Sequence, residues 1–108
     1  IGLDPRLVRR VAICAYEGEM NIIMHAQRGA ITLNVTPEII EIIVDDEGKG
    51  IADIKLAMQE GYTTATEEMI AMGFGSGMGL PNIKKNSDDF NIKSTIGKGT
   101  KLNIIFFP

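Results

Sequence analysis

The chain has 108 residues, 44% of them hydrophobic and 23% charged, with a formal net charge of −3. That is enough for one domain around one core, and the ordinary composition excludes a disordered or fibrous chain. The acidic balance, with a pI of about 5.1, argues against direct nucleic-acid binding, which asks for a basic patch.

No apolar run is long enough for a transmembrane helix, and no signal peptide is visible, so a cytoplasmic protein with no membrane contact is expected. The single cysteine, Cys14, leaves no disulfide or zinc framework and reads as a small buried hydrophobe.

In chain order, Asp4-Pro5 opens the first helix as N-cap and first helical residue. The helix is predicted to run to about residues 27–28, with Gly29 ending it at the C′ position. Its apolar stripe is read as Val8, Val11, Ala12, Ala15, Ile22 and Ala26. A neighbouring face carries Glu17, Asn21 and His25 at four-residue spacing. Gly18 inside this helix costs roughly 1 kcal/mol against Ala, which implies close packing there or room beside a ligand.

Residues 30–35 alternate and predict a strand. Residues 39–45 predict its hairpin partner, apolar enough to be a central strand. A short helix is expected over 53–60, capped by Asp53. Residues 61–79 show no clear period, although 66–72 can form a helical turn with Thr66 as its cap. Residues 79–86 read as a helix. Strands are expected at 90–95 and 100–106, joined by a hairpin turn at 96–99. The order predicts an α+β two-layer sandwich, with helices on one face of a mixed, mostly antiparallel sheet.

Four stretches can carry chemistry. Glu17 can act as a general base, and the Asn21 carbonyl is a hard oxygen ligand suited to Mg²⁺. His25 can donate to a phosphate. Such a helical row alone is more often a solvated face. Asp46-x-Gly48-x-Gly50-Ile51 follows an apolar strand; a carboxylate there can accept from an exocyclic amine, and glycines admit a close backbone approach. Strand alternation and spacing favour Asp46 over Asp45. Gly73, Gly75, Gly77 and Gly79 put four glycines in seven residues before a helix, an arrangement that offers backbone N–H groups to phosphate. Their spacing is neither the dinucleotide fingerprint nor a P-loop. Gly97-Lys98-Gly99-Thr100 is a hairpin turn when seen alone.

Together and in this order, the four stretches resemble the motifs of the GHKL ATPase superfamily, which includes gyrase, a heat-shock chaperone, histidine kinases and a mismatch-repair protein. The N-box is matched from Glu17 through Asn21 to His25. The three glycine boxes are matched by Asp46-x-Gly48-x-Gly50-Ile51, by Gly75-x-Gly77-x-Gly79-Leu80 and by Gly97-x-Gly99-Thr100. Within that superfamily the chain looks most like the bacterial anti-sigma factor serine/threonine kinases. The run Gly61-Tyr62-Thr63-Thr64 and the run from Gly77 through Leu80-Pro81 to Lys85 carry that closer likeness.

The resemblance implies a histidine-kinase-like ATPase fold over residues 1–108 as a single ATP-binding domain. It also implies a strand before the first helix; with only three residues ahead of Asp4, and Ile1 in place of Met, the natural protein is expected to be longer. ATP and Mg²⁺ are the implied cofactors. Glu17 would be the catalytic base, and Asn21 would ligate Mg²⁺. Asp46 would bind the adenine amine, with Gly50 admitting the base. Gly75, Gly77 and Gly79 would wrap the phosphates, and Thr100 would border the adenine pocket; His25, Gly48, Ile51 and Leu80 complete the implied set.

The implied activity is phosphorylation of an anti-sigma-factor antagonist protein, in a chain that regulates transcription through a sigma factor. A homodimer is kept open, because the family often forms one. One departure bears on turnover: no Lys or Arg occurs from residue 56 to residue 83. Two other readings stand beside the kinase. One is a nucleotide-binding module that sequesters a sigma factor or regulator without efficient transfer. The other is a detached histidine-kinase catalytic domain.

Overall fold

The computed structural model describes residues 3–59 and 79–108. Among them the order is α1 (Pro5–His25), β1 (Ala26–Val35), β2 (Ile40–Gly48), α2 (Ile54–Ala57), α3 (Gly79–Asn86), β3 (Asp89–Thr95) and β4 (Gly99–Phe106). The strands form one antiparallel sheet in the order β1-β2-β4-β3. The helices cover one face, so the α+β two-layer expectation holds. The expected turn of helix at 66–72 lies outside the described residues.

Asp4 caps α1 as expected, its carboxylate accepting from the Arg6 N–H at 2.8 Å, with Pro5 as the first helical residue. The other end differs from expectation. The helix stops at His25, and Ala26 is already extended at φ −125°, ψ 156°. Gly29 therefore lies inside β1, opposite Asp46, and is not a helix cap. The chain passes from helix to strand with no loop because Gly48 admits it: a side chain there would begin 2.5 Å from the His25 carbonyl oxygen.

The buried stripe of α1 is also rotated from the expected one. Leu7, Cys14 and Gly18 face the core, with Val11, Ala15 and Ile22 beside them, whereas Val8 and Ala12 are exposed. Gly18 lies on Val44, where an added Cβ would come within 2.7 Å of a valine methyl. Of the two readings of this glycine, close packing is the one observed.

Strands β2 and β4 sit in the middle of the sheet. Ile40, Ile42 and Val44 of β2 and Leu102, Ile104 and Phe106 of β4 turn inward and make the core with Ile83 and Leu80 of α3. The same alternation carries one step past Val44 to Asp46, and one step before Leu102 to Thr100. The hydrophobic pattern that fixes the register thus also brings two polar side chains to one end of the core, where they pair across the ladder.

Asp53 caps α2 by accepting from Leu56 N–H at 3.1 Å, but the α2 helix itself spans only four residues. Helix α3 keeps its expected bounds. It is fastened to α1 along an antiparallel seam: Arg10 Nε donates to the Asn86 carbonyl at 2.8 Å, Cys14 Sγ to the Ile83 carbonyl at 3.7 Å, and Asn82 Nδ2 to Glu17 at 2.8 Å.

Candidate nucleotide-binding site

Two of the sequence motifs meet at the end of the two central strands, where Asp46 and Thr100 pair. Both residues are buried, at 7% and 5% exposure. Asp46 Oδ1 accepts the Thr100 backbone N–H at 3.1 Å. Its second oxygen takes no hydrogen bond from the described residues, and among these residues no fully buried side-chain oxygen lacks a partner. Burial raises the Asp46 carboxyl above its ordinary pKa, against the Thr100 N–H and His25, which lower it; the Asp45 charge adds to the rise. Asp45 itself is exposed, on the other face.

Ser94, absent from every sequence motif, joins the first and third glycine boxes. Its Oγ accepts from the Ile51 N–H at 2.7 Å, lies 3.1 Å from the Gly99 carbonyl and 2.9 Å from the Thr100 hydroxyl. A carbonyl only accepts, so Ser94 gives its one proton to Gly99 and the Thr100 hydroxyl donates to Ser94. Thr100 Oγ1 is thereby left with its lone pairs. Gly97 N–H completes the junction on the Lys49 carbonyl at 3.0 Å.

Gly50 has φ +78°, a conformation L side chains rarely adopt, and a Cβ there would come 2.5 Å from the Thr95 carbonyl. Its close neighbour is thus the β3–β4 turn, whatever else approaches it. No such signal points to Ser94, whose position follows from strand register.

The α1 row faces this junction at one end and α3 at the other. His25, half-buried at the end of α1, is held below its ordinary pKa first by burial and then by Lys49, with Asp46 opposing. The ring is therefore neutral near pH 7. Asn21 lies one turn back, half-buried. One turn further back, Glu17 uses one carboxylate oxygen to accept from Asn82. Its other oxygen lies 3.7 Å from where a Gly79 side chain would begin.

Glu17 is therefore brought to the first residue of α3. Asn82, which fixes it, lies within the run from Gly77 to Lys85, but the sequence assigned it no role. Leu80 packs into the core, and Ile51 lies against its margin. Gly75 and Gly77 lie outside the described residues. Among those residues no group of three or more His, Cys, Asp or Glu side chains could hold a metal, and no helix is long and apolar enough to cross a membrane.

Comparisons with known proteins place the chain in a family. The family model for histidine kinase-, DNA gyrase B- and HSP90-like ATPases matches residues 9–108. The serine/threonine-protein kinase RsbT of Bacillus subtilis is 33% identical over 99 residues, covering 92% of this chain and 63% of that protein. The anti-sigma F factor of Caldanaerobacter subterraneus subsp. tengcongensis is 37% identical over 105 residues, covering 91% of this chain and 70% of that protein. The chain thus spans less than two thirds of the length of the Bacillus kinase.

Among solved structures, the mycobacterial sensor histidine kinase MprB superposes with a TM-score of 0.66 at 16% identity, over 92% of this chain and 70% of that one, a likeness of fold. The chain belongs to the family of histidine kinase-, DNA gyrase B- and HSP90-like ATPases.

Proposed function

We propose that this domain binds ATP with Mg²⁺ and serves an anti-sigma regulator that phosphorylates a serine or threonine hydroxyl on an antagonist protein. The observation that carries the nucleotide reading is the Asp46–Thr100 pair. A desolvated carboxylate, fixed by a backbone N–H and keeping one oxygen uncommitted among the described residues, fits an exocyclic amine such as adenine's. Thr100 Oγ1, its proton given to Ser94, adds a second acceptor beside it.

The residues fit the cofactor further along α1. Asn21 offers a single amide oxygen, which suits an ion that keeps waters and phosphates as its other ligands. Mg²⁺ held there would neutralise phosphate charge. Glu17 would take the proton from the acceptor hydroxyl, its carboxylate aimed by Asn82 at the start of α3. The first N–H groups of α3 would face the phosphates. Phosphoryl transfer asks mainly for positioning and charge neutralisation, which these groups supply.

The second reading, nucleotide-dependent sequestration of a sigma factor without efficient transfer, is favoured by the lack of Lys and Arg over residues 56–83. Glu17→Gln separates the two. A kinase loses transfer to a partner serine and keeps partner binding; a sequestering module is unchanged in both.

Thermal unfolding with and without Mg²⁺-ATP tests the site itself. At a hundredfold excess over Kd the ligand adds about 2.7 kcal/mol, which raises Tm by on the order of 10 °C in a domain of this size. Asp46→Asn should lose that shift while folding at least as well as the wild type at neutral pH. The sign follows from the raised carboxyl. The stability it brings is full below its unfolded pKa and is lost as pH rises through the folded value. At neutral pH the buried ion is a cost, which the neutral amide avoids while still accepting from Thr100. An unchanged ATP shift in Asp46→Asn would refute the assignment of the adenine site.

A further inference from the structure

Glu17 stands between two approaches. Down the helix from it, Asn21 and His25 lead toward Asp46. Up the helix a groove of about 480 Å³ opens between α1 and α3. Arg9, Ile13 and Tyr16 make one wall, Asn82 and Asn86 the other, and Glu17 closes one end. A base that takes the proton from a hydroxyl while that oxygen attacks a phosphate must be reached by both reactants. The nucleotide reading uses only one.

We propose that this groove seats the acceptor-bearing segment of the protein substrate: an extended stretch with its hydroxyl at Glu17 and an acidic side chain three or four residues away at Arg9. The proposal rests on the kinase reading above and adds to it the class of sequence that the site selects.

Four features support it. The groove is preformed, since Arg10, Cys14 and Glu17 tie α1 to α3. Its volume lies within the range of small binding clefts, roughly 300–1,000 Å³. The length fits, because eight residues of helix from Arg9 to Glu17 rise about 12 Å, which three to four residues of extended chain span at roughly 3.3 Å each.

The α3 wall fits a main chain. Asn82 gives an amide N–H to Glu17 and Asn86 gives one to the Asn82 carbonyl, which leaves both amide oxygens as acceptors about one helical turn apart. Alternate N–H groups of an extended strand repeat at roughly 6.6 Å, close to the helical rise of about 6 Å between those residues. On the other wall Tyr16 is 56% exposed and presents an amphipathic ring to the groove.

Charge fits as well. The chain carries a net −3, yet the first three turns of α1 hold Arg6, Arg9 and Arg10, and the last turn of α3 holds Lys84 and Lys85. Arg6 is paired with Asp4 and Arg10 with Asp88. Among the described residues Arg9 makes no ion pair, and it lines the groove about two helical turns from Glu17. A cation there prefers an acidic neighbour and repels a basic one.

The test uses fluorescent nine-residue peptides with a central serine. They carry Glu, Ala or Lys three or four residues away on either side. Anisotropy is read against the whole chain saturated with Mg²⁺ and a non-hydrolysable ATP analogue. The Glu peptides should bind at least tenfold more tightly than the Lys peptides. Arg9→Glu should reverse that order, and Tyr16→Ala should weaken all peptides without reversing it. Both variants should keep the thermal shift given by Mg²⁺-ATP.

Equal binding of the Glu and Lys peptides, binding of none, or a preference that survives Arg9→Glu would overturn the docking proposal while the ATP shift leaves the nucleotide site standing. A wild type that shows no ATP shift would overturn the nucleotide reading and the docking proposal with it.

Discussion

Gly18 lacks a side chain because Val44 occupies its place. Adding one methyl at residue 18 sets two opposed effects against each other. Alanine favours the helix by roughly 1 kcal/mol, but overpacking a core costs typically about 1–3 kcal/mol. The 2.7 Å approach to a fully buried valine on a central strand makes the second effect larger. Gly18→Ala should therefore destabilise the wild type and stabilise a Val44→Ala background, where the methyl fills space. Urea midpoints of the four proteins in this cycle measure the coupling, and equal effects of Gly18→Ala in both backgrounds would remove the explanation.

Cys14 is a neighbouring case of a residue set by packing. Burial pushes its thiol up to about 11, so it is un-ionised and unreactive in the folded chain.

At the scale of elements, the seam between α1 and α3 determines where helix faces point. Arg10 ends that seam with three contacts: the Asn86 carbonyl, the Asp88 carboxylate at 2.9 Å and the face of Phe106 at 5.7 Å from its centroid. Asp88 in turn accepts the Phe107 N–H at 2.8 Å, and it is held below the ordinary carboxylate range first by that bond and then by Arg10. Arg10→Ala should cost about 1–2 kcal/mol, the range of charge-assisted hydrogen bonds at a partly exposed site. Arg10→Lys should recover less than half, since an ammonium lacks the fork that reaches both oxygens. Chemical denaturation reads both.

This seam also explains which features were legible in the sequence. The caps Asp4 and Asp53 were, because a cap is a local hydrogen bond. The choice of Asp46 over Asp45 was, because strand alternation carries Ile40, Ile42 and Val44 forward to it. The phase of α1 was not: nothing in its own residues decides between Leu7 and Val8, and the helix it docks against does. Its end was misplaced at Gly29 because the stop depends on Gly48, more than twenty residues on. Ser94 and Asn82 act through register and docking, so no spacing in the chain marks their roles, although Asn82 falls within the run from Gly77 to Lys85.

At the scale of the whole molecule, the strand order β1-β2-β4-β3 places the two halves of the pocket on distant parts of the chain. Asp46 and Thr100 meet across β2 and β4, 54 residues apart. Glu17 and Asn82 meet 65 residues apart. Everything from α1 to α2 brings Glu17, Asn21 and Asp46; α3 to β4 brings Asn82, which holds Glu17, and the Thr100 N–H that fixes Asp46. A chain cut between α2 and α3 yields two pieces, each with half of the groups and neither with a complete pocket. Those pieces should reassociate through the β2–β4 ladder and the α1–α3 seam, and under the proposed function Mg²⁺-ATP should draw them together, since that reading needs groups from both. Co-purification of the untagged piece with a tagged one, increased by ATP and lost with Asp46→Asn, would make this domain a split reporter in which the nucleotide acts as the glue between two halves of a sheet.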